Sequence, residues 1–181
     1  MDETYRLEIK NEFKKCVDGT IERIESGKQT YRPFHAALLS DDVLYWSAFE
    51  RSFSTSFGQR TIEKLAEIVA HSDGAEEVKR QKQTYVTIDS GYEEAIHNHI
   101  NKLRNNIPGY KHDWTSSLNE IMSAKQTGIK KEIRVISDIW WKKQGIDNFI
   151  SLKTVKPNID QTAVAKEDCL HLKLGIPNCN V

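Results

Sequence analysis

The chain has 181 residues, with 26 Lys and Arg against 26 Asp and Glu and a hydrophobic share of 38%. That length supports one domain with a true core, or a domain plus an appendage, and not two large domains. No run approaches eighteen apolar residues, which excludes a spanning helix. Three scattered cysteines without CxxC or CxxH spacing exclude a disulfide framework and a zinc knuckle.

The start, MDETYRLEIKNEF, is charged and amphipathic and lacks the apolar stretch of a secretory leader, so a soluble intracellular protein is expected. Residues 3–26 carry Tyr5, Ile9, Phe13, Cys16, Val17, Ile21 and Ile24 at helical spacing. KQTYRPF (28–34) breaks that pattern, because Pro33 disfavours helix at Arg32. A second helix is predicted from Asp41–Asp42, whose acids suit an N-terminus, through VLYWSAFERSFSTSFGQRTIEKLAEIVAHS, bent around its Ser/Thr-rich centre. SDGAEE (72–77) closes it.

TYVTI (84–88) is a strand candidate, and residues 90–106 and 113–126 read as amphipathic helices. The period then changes. IRVISDIWW (133–141) is β-branched and aromatic, KKQGIDN (142–148) is a turn, and FISLKTV (149–155) is a second strand, making a β-hairpin. Trp140 and Trp141 point one ring to each face. Ile159 to Lys173 is predicted helical, and GIPNCNV (175–181) follows with room for a last strand. The order of helices, hairpin and helix indicates an α/β domain.

Charge is uneven. Residues 125–156 hold eight Lys or Arg against three acids, whereas residues 1–60 hold nine against ten. A local basic excess suits a polyanionic partner but is more often a solvated surface.

Cleaving a phosphodiester near neutral pH takes carboxylates that hold a divalent cation and a positive group that stabilises the developing charge. A hairpin can supply both, since residues two apart on a strand share a face. Ser151 and Lys153 share a face in this way. Asp138 interrupts an apolar strand, where a carboxylate needs a partner. Asp138 and Lys153 are therefore expected to face one site, as a catalytic pair or as a structural ion pair.

ISDIWW followed by FISLKTVKPNIDQT resembles the core of the PD-(D/E)xK nucleases. SLKTVKPNIDQ with FERSFSTSFG (49–58) resembles the TdeIII-type type II restriction endonucleases over the stretch from about Pro33 onward. The resemblance implies a restriction-endonuclease-like α/β fold: a central mixed sheet with a catalytic β-hairpin, flanked by helices. It implies one domain over 1–181, helical over residues 1–126 and carrying the nuclease hairpin and following helix in 127–181. It also implies Mg2+, double-stranded DNA with a GGNCC site, a homodimer, a bacterial cytoplasmic setting and no membrane. TdeIII-type proteins continue well past the equivalent of GIPNCNV, so a C-terminally shortened form is an expectation too.

One departure matters. The acid expected two residues before the lysine is Ser151 here. An NgoMIV-like group has an SxK version and takes the missing carboxylate from a glutamate on the following helix. Glu167, with thirteen residues between it and Lys153, matches that arrangement. The resemblance thus implies Asp138, Lys153 and Glu167 as the active set with Ser151 adjacent, and Glu50 as the rival for the second metal carboxylate. Arg51, Ser54, Thr55, Lys156 and Gln161 are the candidate DNA contacts, with Ser52 beside them. The alternative is a DNA-binding remnant that no longer cuts.

Two tempting motifs are set aside. In HNHIN (97–101), His97 and His99 lie about 200° apart around a helix and cannot share a metal, so both are expected to face solvent. Cys169 near His171 has no third triad member and reads as a buried thiol.

Overall fold

A computed structural model describes residues 1–27, 37–110, 113–153 and 157–181. They form two compact units, Met1–Gly74 and Ala75–Val181.

The first unit is helical: α1 (Glu3–Glu25), α2 (Asp41–Ser56) and α3 (Ile62–Ser72). The bend expected in the Ser/Thr-rich segment is a π-helical turn, Phe57–Thr61, between α2 and α3. Aromatic rings tie α1 to α2 here. Phe13 meets Phe53 and Phe57 edge-on at 6.0 and 5.7 Å, and Phe53 stacks on Phe49 at 5.8 Å. Arg23 reinforces the contact, donating from Nε to Ser52 Oγ (3.2 Å) and from Nη2 to Ser56 Oγ (2.6 Å).

The second unit is a three-stranded sheet in the order β1-β2-β3 with helices against it. Its elements are β1 (Glu77–Asp89), α4 (Ser90–Arg104), α5 (Trp114–Met122), β2 (Lys130–Lys143), β3 (Ile146–Ile150) and α6 (Ile159–Gly175). Both strand pairs are antiparallel, and a single parallel bridge joins Asn148 to Asn180, which gives the sheet its mixed character. β2 and β3 turn tightly through Gln144 (φ 53°) and Gly145 (φ 73°). This is a two-residue connection of the left-handed kind that matches strand twist.

The core lies in two clusters. Val86, Val135, Trp140, Phe149, Leu172 and Cys179 bury one stretch of the sheet under the end of α6. Ile88, Ile96, Ile100, Ile121, Ala163 and Leu170 fill the space among β1, α4, α5 and α6. Of the two tryptophans, Trp140 is the buried one, and its Nε1 donates to Asp147 Oδ1 at 3.0 Å.

Asp89 links β1 to α4. Its buried carboxylate accepts from the backbone N–H groups of Gly91 (2.9 Å), Thr127 (2.8 Å) and Gly128 (2.8 Å). These donors stabilise the charged form and hold the carboxyl down at about 2. α6 begins with a capping box in which Asn158 and Gln161 satisfy each other's backbone N–H groups.

The described residues correct the expectation for the two histidines of HNHIN. His99 does not face solvent: it is buried, with Nδ1 at 2.6 Å from Tyr110 Oη and 3.3 Å from Glu120 Oε2, while His97 is exposed. Burial, with Lys166 nearby, pushes the His99 imidazole below its ordinary range.

Candidate active site

Strand register brings the site together. Ile139 pairs with Ile150 and Trp140 with Phe149, so the same register continued by one residue sets Asp138 across from Ser151. On the other flank Arg80 pairs with Ile139 and Lys82 with Ser137, which sets Gln81 across from Asp138. Directly opposed residues on neighbouring strands share a face. Gln81, Asp138 and Ser151 therefore form one row across the sheet with the aspartate at its centre.

The Asp138 carboxylate is held on both oxygens. Oδ2 accepts from the Leu152 backbone N–H at 2.6 Å and from Ser151 Oγ at 3.3 Å, and it lies 3.7 Å from Lys153 Nζ. Oδ1 accepts from Gln81 Nε2 at 3.2 Å. Lys153 Nζ also donates to Ser151 Oγ at 2.6 Å. The strand ends earlier than expected, at Ile150, so Lys153 reaches the site from the segment just beyond it. Both side chains keep some access to solvent, 32% for Lys153 and 24% for Asp138. The pair is thus open enough to meet a substrate.

Ser151 occupies the position where an acid is expected and acts as a bridge. Its hydroxyl takes a hydrogen bond from Lys153 and gives one to Asp138, which fixes the ammonium beside the carboxylate without adding a negative charge.

On α6, the acid whose titration responds to the hairpin pair is Asp168. Burial pushes its carboxyl up to about 6, the neighbouring Glu167 adds to that shift, Lys153 opposes it, and Asp138 raises it further. Asp168 is therefore near enough to feel both members of the hairpin pair. Leu172, one turn further along α6, packs in the core against Trp140 and Phe149, which explains why the 168/172 stripe lies over the hairpin. Glu167 lies about 100° round the helix from Asp168. Its charge acts on Asp168 and on His171, whose imidazole burial holds below its ordinary range. Cys169 is half-buried beside Asp168, and its thiol is pushed up, chiefly by burial.

The other sequence candidates sit as follows. Glu50 lies on α2 in the first unit, exposed, and accepts from Ser54 Oγ at 3.0 Å. Arg51 and Thr55 are exposed on the same helix. Gln161 is engaged in the α6 cap, its N–H donating to Asn158 Oδ1 at 2.8 Å. Lys156 lies outside the described residues.

Asp138 and Asp168 carry the carboxylate oxygens that a hard divalent cation takes. Asp138 and Asp168 repel each other, Glu167 adds to the repulsion, and Lys153 only partly offsets it. A cation would relieve that excess. Among the described residues no three His, Cys, Asp or Glu side chains could hold a metal unaided. Two carboxylates with water suffice for a small hard ion.

An apolar cleft of about 320 Å³ opens beside Ser151, walled by Trp114, Phe149, Ile150 and Val181 with Lys166 and Cys169 at its edge. Among the described residues no helix is long and apolar enough to cross a membrane.

A family model described as "Type II restriction endonuclease, HinfI" matches residues 1–180. No curated protein and no solved structure matches. The resemblance to restriction enzymes thus holds at the level of the type II class, and the family is HinfI rather than the TdeIII type. The chain belongs to the HinfI family of type II restriction endonucleases.

Proposed function

We propose that this HinfI-family chain is a magnesium-dependent endonuclease that hydrolyses phosphodiester bonds at a short specific site in double-stranded DNA. The observation that supports this best is the pair at Asp138, with a lysine 3.7 Å away on the adjoining segment and the charge of a further acid, Asp168, coupled to both. Asp138 and Asp168 would hold Mg2+, with Glu167 beside them. When bound, the ion polarises the phosphate and lowers the pKa of an attacking water.

The chain's own residues do the rest. Water attacks phosphorus, the bond to the leaving oxygen breaks, and negative charge grows on the phosphate oxygens. The Lys153 ammonium, held by Ser151, stabilises that charge. Leu152 N–H and Ser151 Oγ keep the Asp138 carboxylate from rotating away. Glu50 stays the alternative source of a metal carboxylate. Arg51, Ser54, Thr55, Lys156 and Gln161 are the proposed backbone contacts, which position duplex DNA without reading its sequence. Two copies would cut the two strands of a symmetric site, hence a homodimer. The setting proposed is the bacterial cytoplasm. GGNCC rests on the TdeIII-type resemblance alone, and the function proposed is cleavage at a short specific site.

A second reading has one observation in its favour. Ser151 stands where a metal-binding acid is expected, which suits a DNA-binding remnant. Incubating phage or plasmid DNA with the protein and Mg2+ separates the two. The nuclease reading predicts discrete fragments that disappear with EDTA and in Lys153→Ala. Binding of duplex DNA with no cleavage under any divalent metal would favour the remnant, and cleavage that survives in Lys153→Ala would reject the role of the lysine.

A further inference from the structure

We infer that Gln81 is a positioning residue of this centre: its side-chain amide sets the rotation of the Asp138 carboxylate and thereby its affinity for a divalent cation. The inference rests on the nuclease reading above. Three observations carry it.

The first is the backbone. Gln81 has φ 50°, in the left-handed region, in the middle of a thirteen-residue strand. For a residue with a Cβ that conformation costs energy and is uncommon. No glycine relieves it.

The second is register. A left-handed residue in a strand commonly marks a bulge, where one extra residue is absorbed. Here the pairing is unchanged on the two sides, Arg80 with Ile139 and Lys82 with Ser137. No residue has been inserted, so the distortion does not serve to correct the register. It falls at the one position of β1 that faces Asp138. Unfavourable backbone conformations that persist at a single point next to reactive groups are a recognised mark of a functional constraint.

The third is how the carboxylate is used. Among the described residues, the Ser151, Leu152 and Lys153 contacts all converge on Oδ2. Gln81 alone of these neighbours donates to Oδ1, at 3.2 Å. An ionised carboxylate has about two acceptor sites on each oxygen. Oδ2 is committed to the hairpin, so Oδ1 is the oxygen with capacity for a cation, and the amide that orients it is a partner of the ligand. Gln81 lies in KRQKQ (79–83), a polar run with no motif of its own, which is why sequence reading passes over it.

The test uses the full chain. Gln81→Gly removes the amide while fitting the left-handed backbone, and Gln81→Asn also tolerates that backbone but is one methylene short of Asp138. For each variant, Mn2+ binding is measured calorimetrically without DNA, beside the melting temperature and the single-turnover cleavage rate at saturating DNA. A residue with only a structural role would change melting and binding together. Positioning predicts a melting temperature equal to or above that of the wild type in Gln81→Gly, with Mn2+ affinity and cleavage rate each lowered about 10-fold or more and DNA affinity unchanged. Both variants binding Mn2+ as tightly as the wild type would overturn the assignment while leaving the nuclease reading intact. A wild type that neither binds Mn2+ nor cuts DNA would sink that reading, and this one with it.

Discussion

Asp168→Asn tests the electrostatics of the site in isolation from its chemistry. In the fold its carboxyl titrates at about 6 against an ordinary 3.8, because it is buried and flanked by the charges of Glu167 and Asp138. A folded-state pKa raised above the unfolded value means that the protonated form is favoured by folding. The associated stability is fully present below about pH 4 and is lost as pH rises through about 6. A rise of roughly two pH units corresponds to about 3 kcal/mol at about 1.4 kcal/mol per unit. Partial exposure and salt reduce this to about 2 kcal/mol. Asparagine keeps the shape and cannot ionise. Thermal unfolding in EDTA at pH 4.5 and pH 8 is the assay. The variant should melt close to the wild type at pH 4.5 and about 4–8 °C higher at pH 8, given roughly 2–4 °C per kcal/mol for a chain of this size. The same substitution should abolish Mg2+-dependent cleavage. Equal melting temperatures at pH 8 would refute the claim that Asp168 carries an uncompensated charge beside Asp138 and Lys153.

Other expectations are independent of that one. Lys153→Ala should lower the single-turnover cleavage rate by about 10²–10³ while leaving Mn2+ binding near that of the wild type, since the lysine stabilises charge and does not ligate; calorimetry beside rapid-quench kinetics reads both. Gly175→Ala should destabilise the second unit by about 1–3 kcal/mol, because a Cβ there would lie 2.4 Å from Val86 Cβ in the core; urea unfolding measures it. Asp89, held at about 2 by backbone donors, contributes stability that is present above pH 3.8 and lost as pH falls through about 2. Acid unfolding followed by circular dichroism should therefore be shallower between pH 4 and 2 in Asp89→Asn than in the wild type, from a lower starting stability.

Much of the architecture is legible because the periods are clean. The β-branched and aromatic run IRVISDIWW marks β2, and helical spacing marks α1, α4 and α5 within a few residues of their ends. The hairpin pair is legible for the same reason: a lone Asp in an apolar strand and a Lys two residues after Ser151 can meet only if the turn is short, and Gln144–Gly145 makes it short. Two features are not legible. The first half of β1 is mostly polar on both faces, since among the described residues this strand has a hydrogen-bonded neighbour in the sheet on one side only, so Glu77–Gln83 gives no strand period and Gln81 goes unseen. On α6 the apolar residues lie around most of the circumference, at Ala163, Val164, Ala165, Cys169, Leu170, Leu172 and Leu174. Periodicity then cannot choose between the adjacent acids Glu167 and Asp168. The packing of Leu172 against the sheet, a tertiary fact, favours the 168/172 stripe, and Glu167 stays a candidate beside it. The only hint in the sequence is the acid pair itself.

The most direct test of the central claim is the position of a divalent ion. Crystals soaked in Mn2+ should show an anomalous peak about 2.0–2.3 Å from carboxylate oxygens of both Asp138 and Asp168, with water completing the coordination. Density that stays absent from these two carboxylates at saturating Mn2+, or a peak ligated by other side chains, would contradict the account.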